Sequence, residues 1–172
     1  MKEDLSNDTL ANNVRVIKPH EGEKLEANGV ELTFKVTSDL SRDQLGVYDM
    51  VLAPKAIGAR MHYHRFMDET FIVNKGTLTV ETMDGDHQAG PGTVIYIPRL
   101  TPHGFRNDSD RETRLMLLFN PSQQREGFFR ELYRILEKQP VDPGRFLKLY
   151  DLYDSFPLDA NNILPVKAKG RE

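Results

Sequence analysis

Three of the five histidines in this 172-residue chain fall in two short clusters. The first is His62-Tyr63-His64-Arg65-Phe66-Met67-Asp68-Glu69, and the second is Pro98-Arg99-Leu100-Thr101-Pro102-His103. Imidazole and carboxylate together suit a divalent transition metal. In an extended strand residues i and i+2 share a face, so His62 and His64 project side by side into one space. Glu69 lies an odd number of residues beyond His64 and would face away on a continuous strand. It joins the pair only if Arg65 to Asp68 bend and reset the parity. A strand histidine is more often core or surface than ligand, so this pair alone is a weak signal. His103 follows a rigid, proline-bounded turn and shares parity with Phe105 and Asn107, which places Asn107 toward the same interior. The chain has no cysteine, which removes disulfides, thiolate ligands and thiol nucleophiles. His20 and His87 stand in polar, turn-like contexts and read as surface residues.

The elements that must position these residues are strand-like. Val14 to Ile17 reads as a short strand. Val30, Leu32, Phe34 and Val36 are apolar at period two. Ser38 to Asp43 is a polar break, and Leu45 to Ala53 a second strand ended by Pro54. After Gly58, short strands recur at a spacing of roughly ten residues with turn chemistry between them, the pattern of an all-β sandwich or barrel. These are Glu69 to Val73, Thr77 to Met83, Thr93 to Ile97, His103 to Asn107 and Thr113 to Phe119. Asp84-Gly85 predicts a tight hairpin with both residues at its centre. Asn120-Pro121 then changes the architecture. Ser122 is positioned to cap a helix carrying Phe128, Phe129, Leu132, Ile135 and Leu136, which Gly127 weakens by ~1 kcal/mol relative to Ala. Asp142 and Pro143 are a cap and first-turn proline for a second helix with Phe146, Leu149, Tyr150 and Tyr153 on one side. The tail after Leu164 reads as disordered.

The two clusters resemble the paired motifs of the cupins. The first reads His62-x-His64-x4-Glu69-x6-Gly76, and the second Gly92-x5-Pro98-x-Leu100-x2-His103-x3-Asn107. Two departures concern turns. The leading glycine of the first motif falls at Ala56, with Gly58 two residues later, and the internal glycine of the second is Leu100. The motifs cover about 50 residues and the strand rhythm about 90, from Gly29 to Phe119. More loosely, Asn120-Pro121, Gly127-Phe128-Phe129 and the stretch from Phe146 to Tyr153 resemble single-domain bacterial cupins similar to quercetin 2,3-dioxygenase.

The resemblance implies an all-β fold, a double-stranded β-helix or jelly-roll barrel with two short C-terminal α-helices. Residues 1–28 would be an arm able to pair with a neighbouring sheet, 29–120 the barrel, and 121–172 helices and tail packed on it, one domain in all. It implies one divalent metal (Fe, Mn, Ni, Cu, Co or Zn) on His62, His64, Glu69 and His103, with Glu69 also a candidate general base. Phe71, Val73, Phe105, Asn107 and Phe119 are candidate pocket residues. Arg60, sharing parity with His62, is a candidate for holding an anionic substrate. Phe128 and Phe129 either close the barrel mouth or merely cover the outside of the sheet, and the second is slightly favoured.

Two classes of function follow. One is a metal-dependent dioxygenase or related oxidoreductase acting on a small aromatic or enolisable molecule, with a non-redox isomerase or lyase as its variant. The other is a non-catalytic binding or sensing barrel. A purely structural role is disfavoured, since buried His and Glu without partners are costly. The net charge of −3 is mild, and Arg125, Arg130 and Arg134 alternate with Glu126, Glu131 and Glu137, mixed signs that read as the solvated face of a helix. Nucleic acid and membrane are therefore not expected partners. The N-terminus lacks a secretory pattern, and no apolar run approaches the ~20 residues of a membrane span, so a cytoplasmic protein is expected. By resemblance the chain is expected to be a homodimer.

Overall fold

The computed structural model describes residues 9–138 and 140–165. Eleven strands and three helices follow in order. The first group is β1 (Lys24–Ala27), β2 (Val30–Val36), α1 (Ser38–Ser41), β3 (Gly46–Leu52), β4 (Ile57–Tyr63) and β5 (Asp68–Lys75). Then come β6 (Leu78–Thr82), β7 (Gly85–Ala89), β8 (Val94–Ile97), β9 (His103–Arg106) and β10 (Thr113–Asn120). The chain finishes with α2 (Arg125–Leu136), α3 (Pro143–Leu152) and β11 (Phe156–Pro157). The strands pair antiparallel into two sheets, β1-β2-β3-β10-β5-β8 and β11-β4-β9-β6-β7.

Alternation decides which face each strand buries. Leu115, Leu117 and Phe119 of β10 point inward, as do Val30, Leu32 and Phe34 of β2. On β5 the inward set is Glu69, Phe71 and Val73, so a carboxylate takes a place the pattern otherwise gives to apolar side chains. The facing sheets therefore enclose one core with a polar cluster inside it.

Several local expectations need correction. Residues 14–17 form no strand. Val14 and Val16 are exposed, so nothing in the chain rewards their pairing. The hairpin between β6 and β7 pairs Thr82 with Gly85, so its two loop residues are Met83 and Asp84, one position earlier than expected. His87 is exposed as expected but sits in β7, a strand too polar to show an apolar rhythm. The polar break after β2 contains the single turn α1.

Ser122 does not cap α2. Its hydroxyl is buried against Ser38 and Asp43, and the N-cap is Gln124 in the left-handed conformation with no side-chain cap bond. Asp142 does cap α3, accepting from the amides of Gly144 and Arg145. Gly127 has a packing reason that propensity cannot reveal: a Cβ there would lie 2.8 Å from the Tyr153 hydroxyl. Most of the predicted C-terminal tail lies outside the described residues.

The helices do more than cover the sheet. Phe129 packs against Phe34, Tyr48 and Phe119 of the larger sheet. Phe128 meets Tyr150, and Tyr150 in turn meets the ring of His62. That chain of rings places α2 and α3 over the histidine cluster, contrary to the slightly favoured expectation.

Candidate metal centre

His62 and His103 sit opposite each other on β4 and β9 of one sheet. Glu69 approaches from β5 of the other. His64 follows the end of β4, beyond which the chain bends at Arg65 and Phe66. The Asp154 carboxylate holds that bend by accepting both of these amide hydrogens at 2.9 Å. The parity reset that Glu69 requires is thus fixed by a residue from the far end of the chain. The Leu100 amide also donates to the His64 carbonyl at 2.6 Å, and Leu100 has a φ of 65°. The backbone here is left-handed although the side chain is not glycine's, so the departure at Leu100 changes the residue and keeps the turn. The other departure resolves in a similar way. Gly58 is the position where a Cβ would run into the Phe105 ring, at 2.0 Å.

The ligand atoms of His62, His64, Glu69 and His103 all lie within 4.8 Å of one another, and all four residues are buried. Each imidazole has its Nδ1 on a backbone carbonyl: His62 on Arg60 at 2.8 Å, His64 on Asp154 at 2.5 Å, His103 on Thr101 at 2.9 Å. A carbonyl only accepts, so each Nδ1 carries the hydrogen and each Nε2 turns toward the others. The Nε2 atoms of His62 and His64 are 3.2 Å apart, and Glu69 Oε2 lies 3.2 Å from His64 Nε2 and 2.7 Å from His103 Nε2. Lone pairs that face one another at this distance repel unless a cation lies between them. This donor set fits a divalent transition metal, with Irving–Williams preferences leaving its identity open.

The electrostatics agree. Burial, with the neighbouring His103 and His64, holds His62 well below the usual imidazole range. Burial also lowers His64. Burial works against a charged His103 as well, but the charge and hydrogen bond of Glu69 outweigh it and raise His103. Burial alone would push the Glu69 carboxyl up, yet His103 and His64 hold it well below the usual carboxylate range. Burial thus favours neutral imidazoles at His62 and His64, while His103 and Glu69 are joined by a hydrogen bond that favours a proton between them.

The other predicted residues separate into two groups. Phe71 and Phe119 contact the site: Phe71 lies 6.4 Å from the His103 ring, and Phe119 meets His64 edge-on at 5.7 Å. Phe105 packs tilted against Phe71, with ring centroids 4.8 Å apart, and Val73 is buried on the same face of β5 as Phe71. Asn107 is elsewhere in function. Its amide donates to the carbonyls of Leu52, Ala53 and Arg111, and its oxygen accepts from Ser109, so it ties a loop and presents nothing to the cluster. Arg60 donates from Nε to the Leu164 carbonyl at 3.1 Å, tying the C-terminal segment to β4. Sequence reasoning missed Tyr150, Asp154 and Arg125. Asp154 gave no signal, because its role depends on a fold-back from about ninety residues away. Arg125 was read as part of a solvated face, whereas it is 3% exposed.

A two-sheet antiparallel barrel around an inward His3Glu cluster is the architecture of the cupins, and comparison with known proteins agrees. Residues 48–119 match the Cupin_2 family, described as Cupin domain. The chain is 28% identical over 121 residues to quercetin 2,3-dioxygenase of Bacillus subtilis (strain 168), covering 70% of this chain and 34% of that protein. It is 35% identical over 60 residues to Protein SchB of Streptomyces halstedii, covering 35% of this chain and 44% of that protein. The chain thus spans about a third and less than half, respectively, of these relatives. A crystal structure described as a sugar phosphate isomerase of the cupin superfamily, from Silicibacter pomeroyi, superposes with a TM-score of 0.57 at 21% identity over 63% of this chain and 77% of that one. A predicted oxalate decarboxylase from Thermotoga maritima gives 0.57 at 15% identity over 62% and 99%. At these identities the two structures share the fold. The family match, the relatives and the shared fold together support a cupin superfamily protein. Among the described residues no helix is long and apolar enough to cross a membrane.

Proposed function

We propose that this chain is a metal-dependent cupin enzyme, a dioxygenase or related oxidoreductase acting on a small aromatic or enolisable molecule. The observation that carries the reading is the set of three Nε2 atoms and one carboxylate oxygen, turned inward by three Nδ1-to-carbonyl bonds. His62, His64, Glu69 and His103 would hold the metal. Bound there, a divalent metal would supply Lewis-acid polarisation of a substrate oxygen and, if redox-active, electron transfer to O2.

The chain's own residues contribute orientation, enclosure and proton handling. The three carbonyl bonds fix ring orientation. Phe71, Phe105 and Phe119 present apolar walls, and Tyr150 and Phe128 screen the cluster from water. Glu69, held well below the usual carboxylate range, is ionised at neutral pH and so free to accept a proton.

The test is the metal content of protein purified without added ions, followed by O2 uptake with flavonols, catechols and β-diketones. Stoichiometric Fe, Mn, Ni or Cu with substrate-linked O2 consumption is the expected result. Zinc or no metal, with binding but no turnover, would replace this reading with the alternative of a holding or sensing barrel. The near-complete burial of the four ligand residues supports that second reading. The proposal includes a cytoplasmic homodimer, with the exposed arm at Val14 and Val16 pairing against a neighbour. Elution at monomer mass in dilute gel filtration would remove the dimer.

A further inference from the structure

Arg125 opens α2, yet its side chain is buried among Phe128, Phe119 and Phe129, with its guanidinium carbon 3.7, 4.8 and 5.5 Å from their ring centroids. It makes one hydrogen bond, from Nη1 to the Tyr153 carbonyl at 2.8 Å. Its Nε has no hydrogen-bond partner, and no carboxylate of the described residues lies at ion-pair distance. Among the described residues the other buried side-chain polar atom without a partner is the Ser155 hydroxyl, in the same covering segment. Burying a guanidinium without an ion-pair partner is costly, and the aromatic faces around it return only part of that cost. A fold alone gives no reason to retain it.

Its place in the molecule gives one. Tyr153 and Asp154 are adjacent, and their carbonyls accept from Arg125 and from His64 respectively. Phe119 neighbours both the guanidinium and the His64 ring. The charge of Arg125 is felt at Glu69, His64 and His103. The nearby anions are committed. Asp154 holds the Arg65 and Phe66 amides, and Glu126 holds Ser38 and Tyr48. Glu69 and Asp154 offset the guanidinium's charge from a distance. Neither reaches its Nε, which stays open to a further acceptor.

We infer that Arg125 is the anchor for an anionic oxygen of the ligand, so that the capped barrel selects small organic anions, carboxylates or enolates, over neutral molecules of the same shape. This rests on the metal reading above and narrows its substrate class. Planar, forked donors suit an oxyanion, and the free Nε supplies one of them.

The test uses the full chain loaded with zinc, so that binding is read without turnover. Glycolate is compared with its neutral amide, glycolamide, by isothermal titration calorimetry. Wild type is expected to prefer glycolate by about tenfold or more, the worth of a hydrogen bond to a charged group. Zinc alone favours the carboxylate, so Arg125→Gln is expected to lower the preference about tenfold without abolishing it, and Arg125→Lys to keep part of the difference. A preference left unchanged by Arg125→Gln, in protein still holding one zinc per chain, overturns the inference. Repeating the titration on chelator-treated protein separates the two readings. An Arg125-dependent preference there upholds the anchor even if wild type takes up no zinc, and no preference in either form overturns it. Arg125→Met is expected to melt at or above the wild-type temperature, because the buried charge has no counter-ion in the fold. A lower Tm with unchanged glycolate binding assigns Arg125 a structural role and overturns the inference.

Discussion

Arg125 and Glu126 are neighbours in sequence and both are buried, yet they belong to two unlike polar regions. Around Glu126 every group is answered. One oxygen accepts the Ser38 amide at 3.0 Å, and the other accepts the Ser38 hydroxyl at 3.2 Å and the Tyr48 hydroxyl at 3.1 Å. Donors meet acceptors, burial and the Glu126 charge push the Tyr48 hydroxyl far up, and nothing is left for a ligand. Around Glu69 the arithmetic fails. Nitrogen lone pairs face each other, one proton serves two groups, and a guanidinium next door has a free Nε. The lesson is that burial of polar groups does not by itself mark a site. A closed hydrogen-bond account marks architecture, and an open one marks a place where something binds.

That contrast can be broken by experiment. The largest effect is expected from His103→Ala or Glu69→Ala, which should lower metal affinity more than ~100-fold, beyond the loss typical of an outer hydrogen-bond partner. Metal titration by calorimetry reads it, and a loss under tenfold would remove that residue from the ligand set. Glu126→Ala should do the reverse. It strands three donors at a cost of about 3 kcal/mol in urea unfolding while leaving metal affinity within about twofold. If it damaged metal binding as severely as a ligand change, the two regions would not be separate. Asp154→Ala frees the bend before Glu69 and should weaken the metal about tenfold, with Asp154→Asn retaining part of the effect.

The smallest and sharpest effect concerns pH. A bound metal requires His103 without its proton, and the metal-free fold holds that proton up to a pH above the ordinary imidazole range. Affinity should therefore fall as pH falls, beginning above pH ~6.5, by about tenfold per unit. His62 and His64 are already neutral there, because burial lowers both. Only one proton should be released per metal, and calorimetry in buffers of different ionisation heat would detect two or three if the contrast were wrong.

Much of the barrel was readable because strands announce themselves by period two, as Val30 to Val36 and Thr113 to Phe119 do. β7 was not readable, since all but its last residue face solvent and no apolar rhythm marks it. The grouping of His62 with His64 followed from parity, and parity also showed that Glu69 needed a bend. What held that bend could not be read, because Asp154 acts across a long loop that no local pattern encodes. Arg125 was misread for a similar reason. Alternating charges on a helix suggest a solvated face, but its guanidinium is drawn inward by rings that come from β10 and from α2 itself. The leucine at position 100 looked like a lost turn. Its φ of 65° shows that backbone conformation can outlast the residue type that usually supplies it.

The hydrogen bond from His64 to the Asp154 carbonyl carries a consequence for the order of assembly. A ribosome delivers all four inward ligands once residue 103 has emerged, but the acceptor that orients His64 arrives some fifty residues later. Until then the nascent barrel would offer its imidazoles in a looser geometry, in which either ring nitrogen can face a passing ion. The segment that follows α3 therefore completes the orientation of the ligand set, and the full site exists only in a chain synthesised through Asp154.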